Sequence, residues 1–188
     1  VLAIELTFPA VGTSEIALPE PWTLARRLEE VVAEQVQGFG GLLRQRTPSL
    51  FRALVGIPRA LDRMPERAVH TALAVRHLVE EAAGDRRSDP PAAVRLGVHL
   101  GEVLVDVSGP FTAGRLLAIG DTLALPVRLL GVAGPGEILV SRTVRDLVAG
   151  SDRTLADCGT RQLKGFEGAW QLFAVTDGVT VVPLQPAQ

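Results

Sequence analysis

The sequence predicts an α/β protein with helices packed on one sheet, on three observations. Short, fully apolar runs such as Ile138-Leu139-Val140 recur where buried strands would lie, two long stretches carry apolar residues at helical spacing, and the two kinds of segment interleave. With 188 residues, 47% of them hydrophobic, the chain has enough apolar material for a single sizeable core and one compact domain.

Val1 to Leu6 is apolar and bounded by Pro9 and Gly12, a buried strand interrupted by Glu5, whose carboxylate needs a reason to be there. After a Pro-rich connection, Leu24, Leu28, Val31, Val32 and Val36 fall at helical spacing, with Arg and Glu on the other face and Gly38 ending the run. Gly40-Gly41 then punctuates the chain before two short segments, around Leu42-Leu43 and Phe51 to Val55, that can form a hairpin about Thr47-Pro48. Pro65 suits a first helical position, and Ala68, Ala72, Val75 and Val79 trace an apolar stripe through to Gly84. Asp85 to Pro91 is a charged, Pro-rich loop. Val94 to Val107 alternates and turns at Gly101, which predicts two strands, and Leu123 to Leu130 is a helical segment containing Pro126. Pro135-Gly136 turns into the strand Ile138 to Val140, Ser141 is placed to N-cap a short helix to Val148, and Leu163 to Val175 reads as a closing pair of strands around Gly165 to Gly168. The order strand, helix, two strands, helix, two strands fits a ferredoxin-like layer sandwich.

Charge and cysteine usage exclude several classes of function. The 19 basic and 21 acidic residues leave a net charge of -2, which gives no broad footprint for nucleic acid or an anionic membrane. Cys158 is the only cysteine, so an internal disulfide and a CxxC metal knuckle are excluded and a reducing, cytoplasmic compartment fits. No apolar run approaches the roughly 20 residues needed to cross a bilayer. The chain begins at Val1 and not at Met, as a piece of a longer protein would.

Three stretches in fixed order resemble one family. Leu96-Gly97-Val98-His99-Leu100-Gly101-Glu102-Val103, Ile119-Gly120-Asp121-Thr122-Leu123 and Pro135-Gly136-Glu137-Ile138-Leu139-Val140-Ser141 resemble the second half of class III adenylate and guanylate cyclase domains, and the helix from Glu66 to Ala74 and Leu163-Lys164-Gly165 fit the same pattern. The resemblance implies a central, mostly antiparallel sheet with helices, a domain over residues 1–178, and a tail or linker over 179–188. In that family two aspartates hold two magnesium ions that activate the ribose 3′-hydroxyl and neutralise the triphosphate. Carried over, the first aspartate falls on Glu5 and the second, counted from Gly40-Gly41, on Ser49, a neutral hydroxyl. The purine-reading positions fall on Gln45 and Leu117, and the ribose-orienting asparagine falls on Ala124. The phosphate-steadying arginine is matched by Arg128, and Lys164 corresponds to a lysine that contacts the triphosphate. The phosphate pair survives best, which implies a degenerate site with no resident cofactor, magnesium or manganese being called for only if the site is active.

Family active sites lie across a dimer interface, so the resemblance also implies a two-fold, head-to-tail homodimer; other domains of a longer chain are expected as further partners, and charge and hydropathy predict neither nucleic acid binding nor membrane insertion. The leading reading is a cyclase-homology domain acting as a regulatory or dimerisation module in signalling. The alternatives are an active adenylate or guanylate cyclase with an unorthodox metal site, and a nucleotide or small-ligand sensor working through Arg128 and Lys164.

Plainer roles stand beside these. Glu5 is either a lone metal ligand or, as is commoner for a carboxylate at a strand end near an arginine, half of an ion pair. Arg128 either contacts phosphate or makes a surface salt bridge. His70 and His77 suit surface or packing roles, His99 the edge of the core, and Asp121 a turn cap. Gly134-Pro135-Gly136 lacks the spacing of a phosphate cradle, and Cys158 lacks an activating base.

Overall fold

The computed structural model describes residues 1–7, 20–47, 49–57, 60–84, 93–105, 118–151 and 153–176. The order of elements is β1 (Leu2–Thr7), α1 (Glu20–Gly38), β2 (Gly41–Thr47), β3 (Leu50–Val55), α2 (Met64–Gly84), β4 (Ala93–Val98), β5 (Leu104–Val105), β6 (Ala118–Ile119), α3 (Leu125–Leu130), β7 (Ile138–Ser141), α4 (Arg142–Leu147), β8 (Leu155–Gln162) and β9 (Ala169–Val175). Seven of the strands form one sheet in the order β2-β3-β1-β4-β7-β9-β8. Its neighbours run antiparallel except β4 and β7, which are parallel and joined by a crossover that carries α3.

Alternation along the strands builds two cores. One face of the sheet buries Leu2, Ile4, Phe51, Leu96, Val98, Ile138 and Val140 against Leu28, Val32 and Val36 of α1 and Val69, Ala72, Val75 and Val79 of α2. On the opposite face Leu125 and Leu129 of α3 pack with Leu139, Leu163 and Leu172. The seat of α3 is Gly97: a β-carbon there would strike the Pro126 carbonyl oxygen and stand 2.9 Å from Leu129 Cβ. Pro126 is tolerated because it lies in the first turn of α3, where a missing N–H costs nothing.

The hairpin about Thr47-Pro48 forms as β2 and β3. The two strands expected about Gly101 form as β4 and β5; both edges of β4 are taken by β1 and β7, and β5 pairs with β6 in a separate two-stranded ribbon. Two sequence expectations are corrected. The closing pair of strands is β8 and β9, so Leu163 to Gly168 is their turn and not part of the first strand. Ser141 occupies the N-cap position of α4 without capping it, because its hydroxyl is held by His99 instead. The tail assigned to 179–188 lies outside the described residues.

Candidate functional site

β1 and β4 pair so that Glu5 stands opposite Arg95, and Arg95 Nη1 donates to Glu5 Oε2 at 3.2 Å. Both side chains are about a third exposed, at 35% each. The ion pair foreseen as the commoner role of Glu5 is thus formed. In the β1–β3 register Glu5 faces Leu50, which places Ser49, in the turn just before β3, beside the same end of the sheet. The fold therefore gathers the two positions that the resemblance assigns to metal. What they offer is one carboxylate already engaged by a guanidinium and one neutral hydroxyl. That donor set does not fit a pair of hard divalent cations, which call for several anionic oxygens. Among the described residues no group of three or more His, Cys, Asp and Glu side chains is placed to hold a metal ion.

The phosphate candidates are built on α3 and the β8–β9 turn. A 3-10 turn over Asp121–Leu123 leads into α3, and Ala124, at the join, accepts the Arg128 N–H at 3.2 Å. Arg128 is exposed, and its Nη2 comes within 3.9 Å of the place a Gly165 β-carbon would take. Gly165 has φ +81°, a conformation that suits glycine, and it follows exposed Lys164 directly. The structure thus brings the Arg128 guanidinium to the turn that carries Lys164. Gln45 pairs through its backbone with Phe51, next to the bulge that ends at Thr47. Leu117 lies outside the described residues.

His99 is taken up by packing, and His70 and His77 by polar partners. His99 is buried, its Nδ1 lies 2.8 Å from Ser141 Oγ, and Trp170 meets its ring edge-on at 6.3 Å. Burial, with a smaller push from the Val1 ammonium, lowers its pKa to about 4, so the ring is neutral at pH 7. Arg153 Nη2 donates to the His70 ring at 3.0 Å, and exposed His77 lies 3.1 Å from Glu81. Burial, chiefly, raises the Cys158 thiol above its ordinary pKa and leaves it a poor nucleophile. Asp121 opens the 3-10 turn, whose N-cap is Gly120 with no side-chain cap.

Sequence reasoning did not single out Arg95 or Arg52. Arg52 pairs with Ala3 of β1, and Ala3 with Gly97 of β4, so Arg52, Glu5 and Arg95 share the α3 face of the sheet. A signal existed: each arginine is the polar residue in an otherwise apolar strand, Leu50-Phe51-Arg52-Ala53 and Val94-Arg95-Leu96.

Comparison with known proteins places this geometry. Among solved structures the chain is similar to the adenylyl cyclase CyaB from P. aeruginosa, with a TM-score of 0.80, 20% identity and 96% of each chain covered. It is also similar to the guanylate cyclase domain of RhGC from Catenaria anguillulae in complex with GTP, with a TM-score of 0.73, 17% identity and coverage of 95% of this chain and 97% of that one. At these identities the likeness is one of fold. A curated relative, "Putative adenylate cyclase 3" of Rhizobium meliloti (strain 1021), is 25% identical over 169 residues; the match takes in 77% of this chain and only 27% of the relative's length. No described helix is long and apolar enough to cross a membrane. The model of the adenylate and guanylate cyclase catalytic domain matches residues 48–177, and with the seven-stranded sheet and its α3 face this establishes that the chain belongs to that family.

Proposed function

We propose that this chain is a catalytically degenerate cyclase-homology domain, working as a regulatory and dimerisation module of an intracellular signalling protein. The observation that carries the reading is the Glu5–Arg95 ion pair beside Ser49: the positions matched to metal hold one neutralised carboxylate and one hydroxyl. Ala124, matched to the ribose-orienting asparagine, adds a second loss. Removing one well-placed electrostatic group commonly costs a hundredfold or more in rate, and here several are replaced together. The test is an assay for cyclic AMP and cyclic GMP with ATP or GTP and manganese. No product is expected. Turnover on the order of 1 per second would sink the reading and favour an active cyclase with an unorthodox metal site.

A second reading, a nucleotide sensor, is favoured by the approach of Arg128 to the Lys164-Gly165 turn, which offers two cations to a phosphate. For the module reading, a two-fold, head-to-tail homodimer is the proposed assembly. Leu104 on the β5–β6 ribbon, 77% exposed, supplies apolar surface that a partner would cover. A guanylyl cyclase domain from Blastocladiella emersonii, similar in fold, is described as a non-canonical dimer in one structure and as monomeric in another. Residues 1–178 are proposed as the domain, with 179–188 as a linker to other parts of a longer chain.

A further inference from the structure

We propose that His70 and Arg153 form an acid-released latch, which holds the segment entering β8 against α2 at neutral pH and lets it go when the imidazole takes up a proton. The pair lies on the α2 side of the sheet, opposite α3, and works whether or not the chain turns over nucleotide.

The geometry fixes the proton state. His70 stands in the second turn of α2, next to buried Val69, with its own ring half-buried. Arg153 comes from the segment between α4 and β8, 83 residues further along the chain. Its Nη2 lies 3.0 Å from His70 Nε2 and 3.3 Å from Nδ1. A neutral imidazole carries a proton on one of those nitrogens and a lone pair on the other. Whichever tautomer is present, an acceptor is therefore within reach of the Arg153 N–H groups. An imidazolium has two donors and no acceptor, and it would set a second positive charge 3.0 Å from the guanidinium. The contact belongs to the neutral ring alone.

The surroundings reinforce that preference. Among the described residues three charged groups face the ring: Arg153 from the segment before β8, and Arg63 and Glu66 from the start of α2. Glu66 favours a protonated ring, but Arg63 Nε stands 3.5 Å from its Oε1 and offsets its charge. Phe39, buried in the turn after α1, meets the imidazole at a tilt with ring centroids 6.3 Å apart. Burial first, then Arg153 and Arg63, hold the His70 pKa below its usual 6.5 against the opposite pull of Glu66. With the folded value the lower one, the latch contributes fully above pH 6.5, and its contribution is lost as pH falls through the folded value.

What the latch restrains is the outer edge of the sheet. Arg153 precedes by two positions Leu155, which opens β8 and packs on the core shared with α2. Between them the Thr154 carbonyl accepts the Thr176 N–H at 3.1 Å and the Thr176 hydroxyl at 2.9 Å, which joins the entry of β8 to the end of β9. β8 is the last strand of the sheet and mostly exposed, so end contacts of this kind govern its local opening.

NMR of the whole chain from about pH 8 to about pH 5 tests this, following the His70 ring and the exchange of the Thr176 amide. Exchange is read as a protection factor, which removes the pH dependence of the exchange reaction itself. His70 should titrate below 6.5, and Thr176 protection should fall about threefold or more across that titration. His70→Gln keeps an acceptor and gains no charge, so its protection should stay level. Arg153→Gln keeps a donor and removes the charge, so His70 should titrate higher and the acid loss should shrink. His77→Gln, in the exposed pair with Glu81, should behave as the parent does. A His70 titration at or above 6.5, level Thr176 protection in the parent, or an equal acid loss in His70→Gln overturns the proposal. If His70→Gln does not fold, Arg153→Gln decides, and an unmoved His70 midpoint there overturns it.

Discussion

Replacing Gly97 with alanine probes the packing that positions α3 and hence Ala124 and Arg128. The new methyl group would meet the Pro126 carbonyl oxygen and lie 2.9 Å from Leu129 Cβ. Carbon contacts are comfortable at about 3.5–4.0 Å, so α3 must retreat by at least about 0.6 Å. The obstacle is backbone, which cannot swing aside as a flexible side chain would. Overpacking of this kind costs about 1–3 kcal/mol. Gly97 has no positive φ, so alanine also stiffens the unfolded chain and returns about 0.4–1 kcal/mol. The two ranges leave a net loss of about 0–2.6 kcal/mol, centred on about 1.3 kcal/mol because the obstacle is backbone, and with a urea m-value of about 2 kcal/mol/M the midpoint should fall by about 0.7 M. Urea unfolding followed by circular dichroism measures this. Leu129→Ala in the same background should not rescue the variant, because the carbonyl remains in the way. A Gly97→Ala protein as stable as the parent would refute the close seating of α3 on β4.

Other outcomes follow from particular contacts. Ser141→Ala strands the buried His99 Nδ1 and should cost about 1–3 kcal/mol in the same unfolding assay; an unchanged midpoint would show that the bond contributes nothing. His99 titrates near 4 when folded and near 6.5 when unfolded, so its contribution is complete above pH 6.5 and is lost as pH falls towards 4. That loss amounts to ~3 kcal/mol at most, and a His99→Gln variant whose stability declines just as steeply between pH 6.5 and 4 would reassign the effect. Ser49→Asp alone should yield no cyclase activity with manganese and ATP or GTP, since groups that act as a unit are strongly non-additive; activity from that single change would mean that Gln45 and Ala124 are tolerated. Light scattering across protein concentration should reveal the dimer by tens of micromolar, and a strict monomer would count against it.

The hydrophobic period of α1 and α2 and the apolar runs of β1 and β7 were legible in the sequence because their burial is one-sided or complete, which leaves a regular trace in residue type. The polar edge strand β8, Leu-Ala-Asp-Cys-Gly-Thr-Arg-Gln, left no such trace: most of it faces solvent, so its backbone pairing with β9 and not its side chains defines it. The route of the chain after Gly101 was decided by competition, since β4 had no free edge to offer β5. Ser141 reads as a cap from its position alone, and only the fold brings His99 near enough to take its hydroxyl. At the candidate site, residue order is what the resemblance used to match Glu5, Ser49, Ala124, Arg128 and Lys164 to a catalytic set. What decides their chemistry is register. Pairing β1 with both β3 and β4 sets Arg95 against Glu5 and Arg52 beside it, although roughly 90 residues of chain separate Glu5 from its partner.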